Sequence, residues 1–182
     1  MEIRAFQPAD VEAVAALHAR SWRTAYRGIL DDKYLDGPIV PERREFWRER
    51  LARPGADHVG LLAVDDGTAA GFAFALVDHD PVWGTLLDNL HVAPGRRGGR
   101  IGTKLLYALT ERLARRSTEG IHLWVFEGNV RTRRYYERLG AAVIERQEAP
   151  APGGGMVAEW RYAWRSVDDL RGAAMASLQC GE

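Results

Sequence analysis

The sequence predicts one domain of mixed α/β (or α+β) class, in which helices flank a central sheet. Three consecutive segments have the apolar character of buried strands, which favours antiparallel pairing. Strands and helices alternate afterwards, but the three-strand run excludes a purely doubly wound parallel sheet. The 182 residues, 46% of them hydrophobic, have the length of a single domain and the composition of a globular protein.

Helix-ending and turn-forming residues divide the first half of the chain into elements. Gly28 ends the helical spacing that starts at Val11, and Pro41 suits the first turn of a further helix. Asp65-Asp-Gly-Thr68, between two apolar runs, is typical of a β-hairpin turn. The predicted elements are a strand at 3–5, helical segments at 11–18, 21–28 and 42–53, and strands at 58–64, 70–77 and 85–92.

The second half alternates between the helical and the strand period. Residues 101–115 carry an apolar stripe that includes Ile101, Leu105 and Leu109, which predicts an amphipathic helix. A strand at 121–126, a helix at 129–139 and strands at 142–148 and 157–164 follow. We expect the single domain to span residues 1–165. For the tail at 166–182 a helix, a dimer contact and disorder all stay open.

Composition excludes several classes of protein. The 25 Lys and Arg balance the 25 Asp and Glu, which argues against a generally basic nucleic-acid binder. The single cysteine, Cys180, excludes a disulfide framework, and the histidines lack the spacing of a metal site. No segment resembles a signal peptide or a membrane span. We therefore expect a cytoplasmic protein with no metal, no nucleic-acid partner and no membrane contact.

The most informative segment is a loop rich in glycine and arginine, at residues 94–100, between a strand and a helix. Gly98, Gly99 and Gly102 allow the backbone to approach a ligand closely, and the following helix offers free N–H groups to an anion. The segment lacks the glycine spacing of a dinucleotide fold and the Gly-Lys-Ser/Thr of a P-loop. A plain strand-to-helix turn with solvated arginines is the alternative at this stage.

A second strand-loop-helix segment makes the pattern specific. Arg97-Gly-Gly-Arg-Ile-Gly102 resembles the Q/R-x-x-G-x-G/A loop of the GNAT superfamily of acetyl-CoA-dependent N-acetyltransferases. Asn129 and Tyr135-Tyr-Glu-Arg-Leu-Gly140 resemble its downstream motif, and the element order fits over about residues 1–165. The family's loop glycine is replaced by Arg100, and an unusual backbone angle there would weaken the resemblance.

The resemblance implies a fold with splayed central strands, and acetyl-CoA as cosubstrate. The loop amides would bind the pyrophosphate, and the strand before the loop would hold the pantetheine arm. Asn129 would hydrogen-bond the pantetheine or simply cap its helix. The residues implied in cofactor binding are Leu90, His91, Val92, Arg97, Gly98, Gly99, Arg100, Ile101, Gly102, Thr103, Asn129 and Tyr136.

The implied reaction is direct transfer of an acetyl group to a primary amine. The resemblance gives Tyr136 the role of the acid that protonates the leaving thiolate, and a backbone N–H, such as that of Val92, would stabilise the oxyanion. Leu86 stands where some members have a glutamate base. Asp88 and His91 are the candidates for the base, and Glu127 could act through water. A GNAT-fold protein that binds acyl-CoA without catalysis is the alternative function.

The acceptor is the least determined part of this prediction. His18, Trp22, Tyr26 and Trp83 are candidates for binding a small-molecule or peptide amine, although packing is an equal explanation for the rings. Residues 94–138 hold 11 Lys and Arg against 4 Asp and Glu, so that this segment has a net charge of +7 and the remainder −7. The positive segment suits an anionic cofactor, and the acidic remainder suits a cationic amine. A homodimer also stays open.

Overall fold

A computed structural model describes residues 1–52, 55–116 and 120–180. One seven-stranded sheet forms the centre, and helices cover both of its faces. The elements are β1 (Glu2–Ala5), α1 (Val11–Ala25), α2 (Asp32–Asp36), α3 (Ile39–Ala52), β2 (His58–Asp65), β3 (Thr68–Asp80), β4 (Gly84–Val92), α4 (Ile101–Leu113), β5 (Ile121–Phe126), α5 (Val130–Arg138), β6 (Ala142–Pro150), β7 (Met156–Trp164) and α6 (Val167–Gln179).

The strand order confirms the mixed class. The sheet runs β1-β2-β3-β4-β5-β7-β6, and only the neighbouring strands β4 and β5 are parallel. The β2–β3 hairpin turns where the sequence predicts, because Asp66 and Gly67 both adopt positive φ angles of 49° and 71°. Short connections also join the antiparallel pairs β3–β4 and β6–β7, whereas β1–β2 and β5–β7 pair across longer stretches of the chain.

The helices differ from the prediction at several points. The segment from Ser21 continues α1 without a break, α2 was not predicted, and α3 begins before Pro41, at Ile39. The predicted end of this helix, Arg53, lies outside the described residues. Segment 166–182 contains α6, which a capping box at Ser166 and Asp169 begins and which packs against α4.

Two faces of the sheet bury separate sets of apolar side chains. On one face α4, α5 and α6 cover the first set, in which Leu105, Leu109 and Leu170 are fully buried. On the other face α1 and α3 cover aromatic residues, with Trp47 and Phe72 fully buried. Of the catalytic candidates, Asp88 and His91 lie on β4, and Tyr136 lies on α5 in the first of these layers. No helix in the described part of the chain is long and apolar enough to span a membrane.

Candidate active site

Strands β4 and β5 form a fork. They pair only at Thr85–Ile121 and Leu86–His122, and beyond these pairs no register continues. Asp88 is an extra residue in β4, since Leu87 pairs with Ala75 but Asn89 pairs with Phe74, its neighbour on β3. Such a bulge bends the strand that contains it, and it lies two residues beyond the last pair between β4 and β5. The facing edges of β4 and β5 therefore offer backbone N–H and C=O groups that a ligand can pair with.

The glycine-rich loop leads from the open end of β4 into the N-terminus of α4. Gly98 has a φ angle of 95°, and Arg100, at the N-cap, has a φ angle of 57°. No side chain caps this helix, so that its first N–H groups remain available to an anion. A Cβ built on Gly102 would lie 3.6 Å from the Tyr135 hydroxyl oxygen and 3.7 Å from Val92 Cγ2. A larger side chain at this position would therefore fill the space beside the fork.

The three loop arginines have different partners. Arg96 forms an ion pair with Asp65, and Arg100 donates to the backbone carbonyl of Leu178 at the end of α6 over 2.7 Å. Arg97 donates to the Thr24 hydroxyl over 2.9 Å. Burial and then the charge of Arg131 lower the pKa of Arg97. Of these three side chains, Arg97 is the one placed to add a positive charge for an anionic ligand.

The two tyrosines of α5 lie on the face of the sheet that α4 covers. The Tyr136 side chain is 5% exposed, and its ring contacts that of Trp164 with centroids 5.9 Å apart. Burial raises the pKa of Tyr136 well above its usual value, so that the hydroxyl stays protonated at neutral pH. The hydroxyl of Tyr135 and that of Thr103 on α4 share a hydrogen bond of 3.2 Å.

Two polar residues after β5 are held by their neighbours. The Asn129 side chain accepts from the Thr132 N–H at the start of α5 over 3.4 Å, which is the capping role considered from the sequence. Glu127 accepts from Arg146 over 3.0 and 3.1 Å and from the Trp160 indole over 3.0 Å. The bond to Arg146, followed by that to Trp160, lowers the pKa of Glu127.

Asp88 and His91 lie on the opposite side of the fork from Tyr136, in very different environments. Arg50 of α3 approaches the Asp88 carboxylate at 3.3 Å, and the side chain of Asp88 is 27% exposed. Partial burial raises the pKa of Asp88, against the effect of Arg50. His91 Nδ1 lies 3.0 Å from the Ser21 hydroxyl, and burial lowers the pKa of His91 to about 3. The imidazole is therefore neutral at physiological pH.

The structure brings together three of the four predicted acceptor residues, since the His18 ring also lies 5.0 Å from that of Trp22. The rings of Trp22 and Tyr26 contact each other at 5.3 Å, and Tyr26 contacts Phe126 at the end of β5 at 4.9 Å. Trp83 instead lies at the β3–β4 turn, where the Arg161 guanidinium is 5.7 Å from its ring.

Sequence reasoning missed two arginines of α3. Arg43 lies over the Trp22 ring at 4.7 Å, and Arg50 contacts Asp88. Arg43 and Arg50 are seven residues apart, a spacing that places both side chains on one face of a helix. This spacing could have indicated them. Among the described residues, no cluster of three or more His, Cys, Asp or Glu side chains is arranged to hold a metal ion.

Comparisons with known proteins agree with this geometry. A Mycobacterium tuberculosis protein described as a probable N-acetyltransferase is 29% identical over 149 residues, which cover 76% of this chain and 78% of the relative. An uncharacterized N-acetyltransferase of Archaeoglobus fulgidus is 30% identical over 145 residues, which cover 75% of this chain and 89% of the relative.

Solved structures show the same fold at lower sequence identity. The PaiA N-acetyltransferase of Thermoplasma acidophilum, in complex with coenzyme A, has a TM-score of 0.74 at 20% identity, over 90% of this chain and 98% of that one. YncA of Salmonella typhimurium, with its cofactor acetyl-CoA, has a TM-score of 0.65 at 18% identity, over 91% of this chain and 93% of that one. The sequence pattern of the Acetyltransferase (GNAT) family matches residues 16–141, which include the fork, the loop and both tyrosines. The chain therefore belongs to the GNAT family of acetyltransferases.

Proposed function

We propose that this protein transfers an acetyl group from acetyl-CoA to a primary amine by direct attack within a ternary complex. The observation that carries the proposal is the fork between β4 and β5, which opens beside the uncapped N-terminus of α4. Tyr136 borders it on the face covered by α4, and Asp88 borders it on the face covered by α3. Two groups that can transfer a proton thus lie on opposite faces of the sheet at the fork.

The residues around the fork suit the chemical parts of acetyl-CoA. Backbone N–H groups from Arg97 to Thr103 and the charge of Arg97 would bind the pyrophosphate. The free edge of β4 at Leu90, His91 and Val92 would pair with the amides of the pantetheine arm, as an added strand does. This arrangement supplies backbone partners to a ligand that is itself rich in amides.

The reaction requires two proton transfers. The acceptor nitrogen forms a bond to the thioester carbonyl carbon while it loses a proton, and the carbon–sulfur bond breaks to leave a thiolate. A thiol has a pKa near 8.5, below that of tyrosine at about 10. The Tyr136 hydroxyl therefore still carries its proton at neutral pH, can hydrogen-bond to the leaving sulfur and protonate it as the bond breaks, and regains a proton from solvent because the tyrosinate is the stronger base. A backbone N–H at Val92 can donate to the carbonyl oxygen.

Asp88 is the better of the two candidate bases. Its raised pKa brings it closer to neutrality, and its side chain is open to solvent at the bulge. The pKa of His91, about 3, makes that imidazole a weak proton acceptor at pH 7. We therefore assign His91 to holding the edge of β4 through Ser21, and Asp88 to receiving the proton of the amine.

Three substitutions test these roles. Tyr136→Phe and Asp88→Asn should each lower kcat by about 100-fold or more, as loss of a general acid or base does, while acetyl-CoA still raises the melting temperature. Gly102→Leu should abolish that thermal shift, because its side chain would occupy the space between Tyr135 and Val92. Tyr107→Phe, on the side of α4 that faces α6, is the matched control for Tyr136→Phe.

The readout is release of free thiol from acetyl-CoA with a panel of amines. Unchanged kcat in Tyr136→Phe would remove this residue from the acid role. A clear thermal shift with acetyl-CoA but no thiol release with any amine would support the alternative, an acyl-CoA-binding protein without transferase activity. Absence of a shift at millimolar acetyl-CoA would contradict both functions.

A further inference from the structure

Three buried nitrogen atoms on the α1–α3 side of the fork have no hydrogen-bond partner among the described residues. They are Trp22 Nε1, His18 Nε2 and Arg43 Nε. These residues are 9%, 1% and 9% exposed. Buried polar atoms in folded proteins are nearly always satisfied, so that three unsatisfied ones call for an explanation.

All three atoms are donors. Indole and guanidinium nitrogens carry hydrogen and accept none. The Trp47 indole donates to His18 Nδ1 over 3.0 Å, and burial keeps the His18 imidazole neutral by lowering its pKa. Its single proton is therefore on Nε2. The cluster has three N–H groups and lacks an acceptor for any of them.

The three donors belong to one group of contacting side chains. The rings of His18 and Trp22 are 5.0 Å apart, and the Arg43 guanidinium carbon lies 4.7 Å from the Trp22 ring. Arg43 donates to Glu42 through Nη2 over 2.5 Å, and its Nε is the buried guanidinium nitrogen without a partner in the described part of the chain. One oxygen-rich group could accept from more than one of these donors.

This donor cluster (His18, Trp22 and Arg43) lies beside the proposed reaction site. The His18 ring is 4.5 Å from that of His91, on the free edge of β4. Arg43 and Arg50 both contact the Phe46 ring, at 4.7 and 3.7 Å, and Arg50 reaches Asp88. The Phe46 ring thus connects the donor cluster, through Arg43, with the surroundings of Asp88, through Arg50.

A carboxylate fits these donors best. When ionised it only accepts hydrogen bonds, its two oxygens take about four of them, and the positive charges of Arg43 and Arg50 favour its negative charge. We propose that the acceptor carries a carboxylate next to its amine, as a free amino acid does, and that Trp22, His18 and Arg43 bind that carboxylate while the amine lies at Asp88. This inference rests on the acetyl transfer proposed above and adds the class of acceptor.

A matched panel of acceptors tests the carboxylate directly. Each free L-amino acid is compared with its own carboxamide and its decarboxylated amine, by kcat/KM at pH 7.5 and saturating acetyl-CoA. We expect the acid of at least one side chain to exceed its carboxamide by about 10- to 100-fold, as loss of a charged hydrogen bond would give. The carboxamide has the less basic amine, so that the chemistry alone would favour it.

Two variants test the residues. Arg43→Gln should bring the ratio of acid to carboxamide close to one while the rate with the decarboxylated amine stays nearly the same. Trp22→Phe removes one N–H and keeps the ring, and it should lower the ratio severalfold, so that the test stands even if Arg43→Gln folds poorly. Arg48→Gln, on the exposed side of α3 and paired with Glu45, is the matched control and should keep the wild-type ratio.

Several results would overturn the inference. Equal rates for acid, carboxamide and amine would show that the three donors are satisfied by buried water only. An equal loss with all three acceptors in both Arg43→Gln and Trp22→Phe would mean that the cluster only supports the fold. Acetylation of amines but of no amino acid would exclude the carboxylate and leave the proposed acetyl transfer intact. A thermal shift with acetyl-CoA but no acetylation of any acceptor in the panel would also contradict the carboxylate inference. Absence of the thermal shift would instead contradict the proposed acetyl transfer itself.

Discussion

Replacing Arg100 by glycine and by alanine separates two properties of the phosphate-binding loop. Arg100 has a left-handed backbone, with φ at 57°, and its carbonyl accepts from the Lys104 N–H over 2.9 Å as α4 begins. Its side chain donates to the Leu178 carbonyl at the end of α6 over 2.7 Å. Glycine keeps the backbone angle at little strain, whereas alanine keeps the strain, and both lose the side-chain contact.

The difference between the two variants follows from the backbone alone. A left-handed angle costs about 1–2 kcal/mol for a residue with a Cβ. Glycine avoids this cost, but its unfolded chain is freer, which lowers the gain in free energy of unfolding by about 0.5–1 kcal/mol. Arg100→Gly should therefore be more stable than Arg100→Ala by about 1 kcal/mol, which corresponds to about 2–4 °C in melting temperature for a chain of this size.

The assay is thermal and urea unfolding of the wild type and both variants, without ligand and with acetyl-CoA. Because both variants lose the contact with Leu178, the wild type should exceed Arg100→Ala in free energy of unfolding by about 0.5–1.5 kcal/mol, the contribution of one hydrogen bond. Equal stability of Arg100→Gly and Arg100→Ala would refute the argument that the backbone at this position is strained. Arg171→Ala, which removes an ion pair between α6 and Glu111 of α4 away from the loop, controls for general loosening of α6.

Two further predictions concern pH. Asp10→Asn should lower stability at pH 7, because Arg4 donates to both carboxylate oxygens over 2.8 Å and this contact lowers the pKa of Asp10. The stabilisation is present above the usual pKa of 3.8 and is lost as the pH falls through the lowered value, so that the gap between wild type and variant should close in acid. The wild type should lose free energy of unfolding as the pH falls from about 6.5 to about 4, because the unfolded His91 binds a proton in this range and the folded one, with a pKa of about 3, does not. His91→Gln should make this loss smaller. Urea titrations at several pH values check both, and parallel curves for wild type and variant would contradict either one.

Local patterns in the sequence were enough for most of the elements. Apolar spacing predicted α4 and the strands on either side of it, and Asp66-Gly67 predicted the hairpin. The capping box at Ser166 was also present in the sequence and would have predicted α6. These features depend on residues within a few positions of one another, which is why a single sequence reveals them.

The site depends on contacts between distant parts of the chain. The fork forms where the pairing of β4 and β5 stops. The sequence predicted it only through the family resemblance. Arg100 and Leu178 are 78 residues apart, and no periodicity connects them. The unusual angle expected to weaken the resemblance is present at Arg100, yet the chain belongs to the family, and the Arg100 side chain donates to the end of α6. A departure from a family motif is therefore best judged together with the residue that contacts it.

The net charge of a segment does not show which of its charged side chains are free to meet a ligand. Residues 94–138 have a net charge of +7, but of the three loop arginines Arg96 binds Asp65 and Arg100 binds a carbonyl, which leaves Arg97 and the N-terminus of α4 as the loop's groups for an anionic cofactor. The remainder of the chain has a net charge of −7, yet near Asp88 it contains two arginines, Arg50 paired with Asp88 itself and Arg43 paired with Glu42. Exposed charges farther than about 8–10 Å are screened in physiological salt, so that these neighbours dominate the field at Asp88. The net charge of the remainder therefore does not decide the acceptor, and the donors of His18, Trp22 and Arg43 that lack a partner among the described residues are the local feature on which the proposed carboxylate depends.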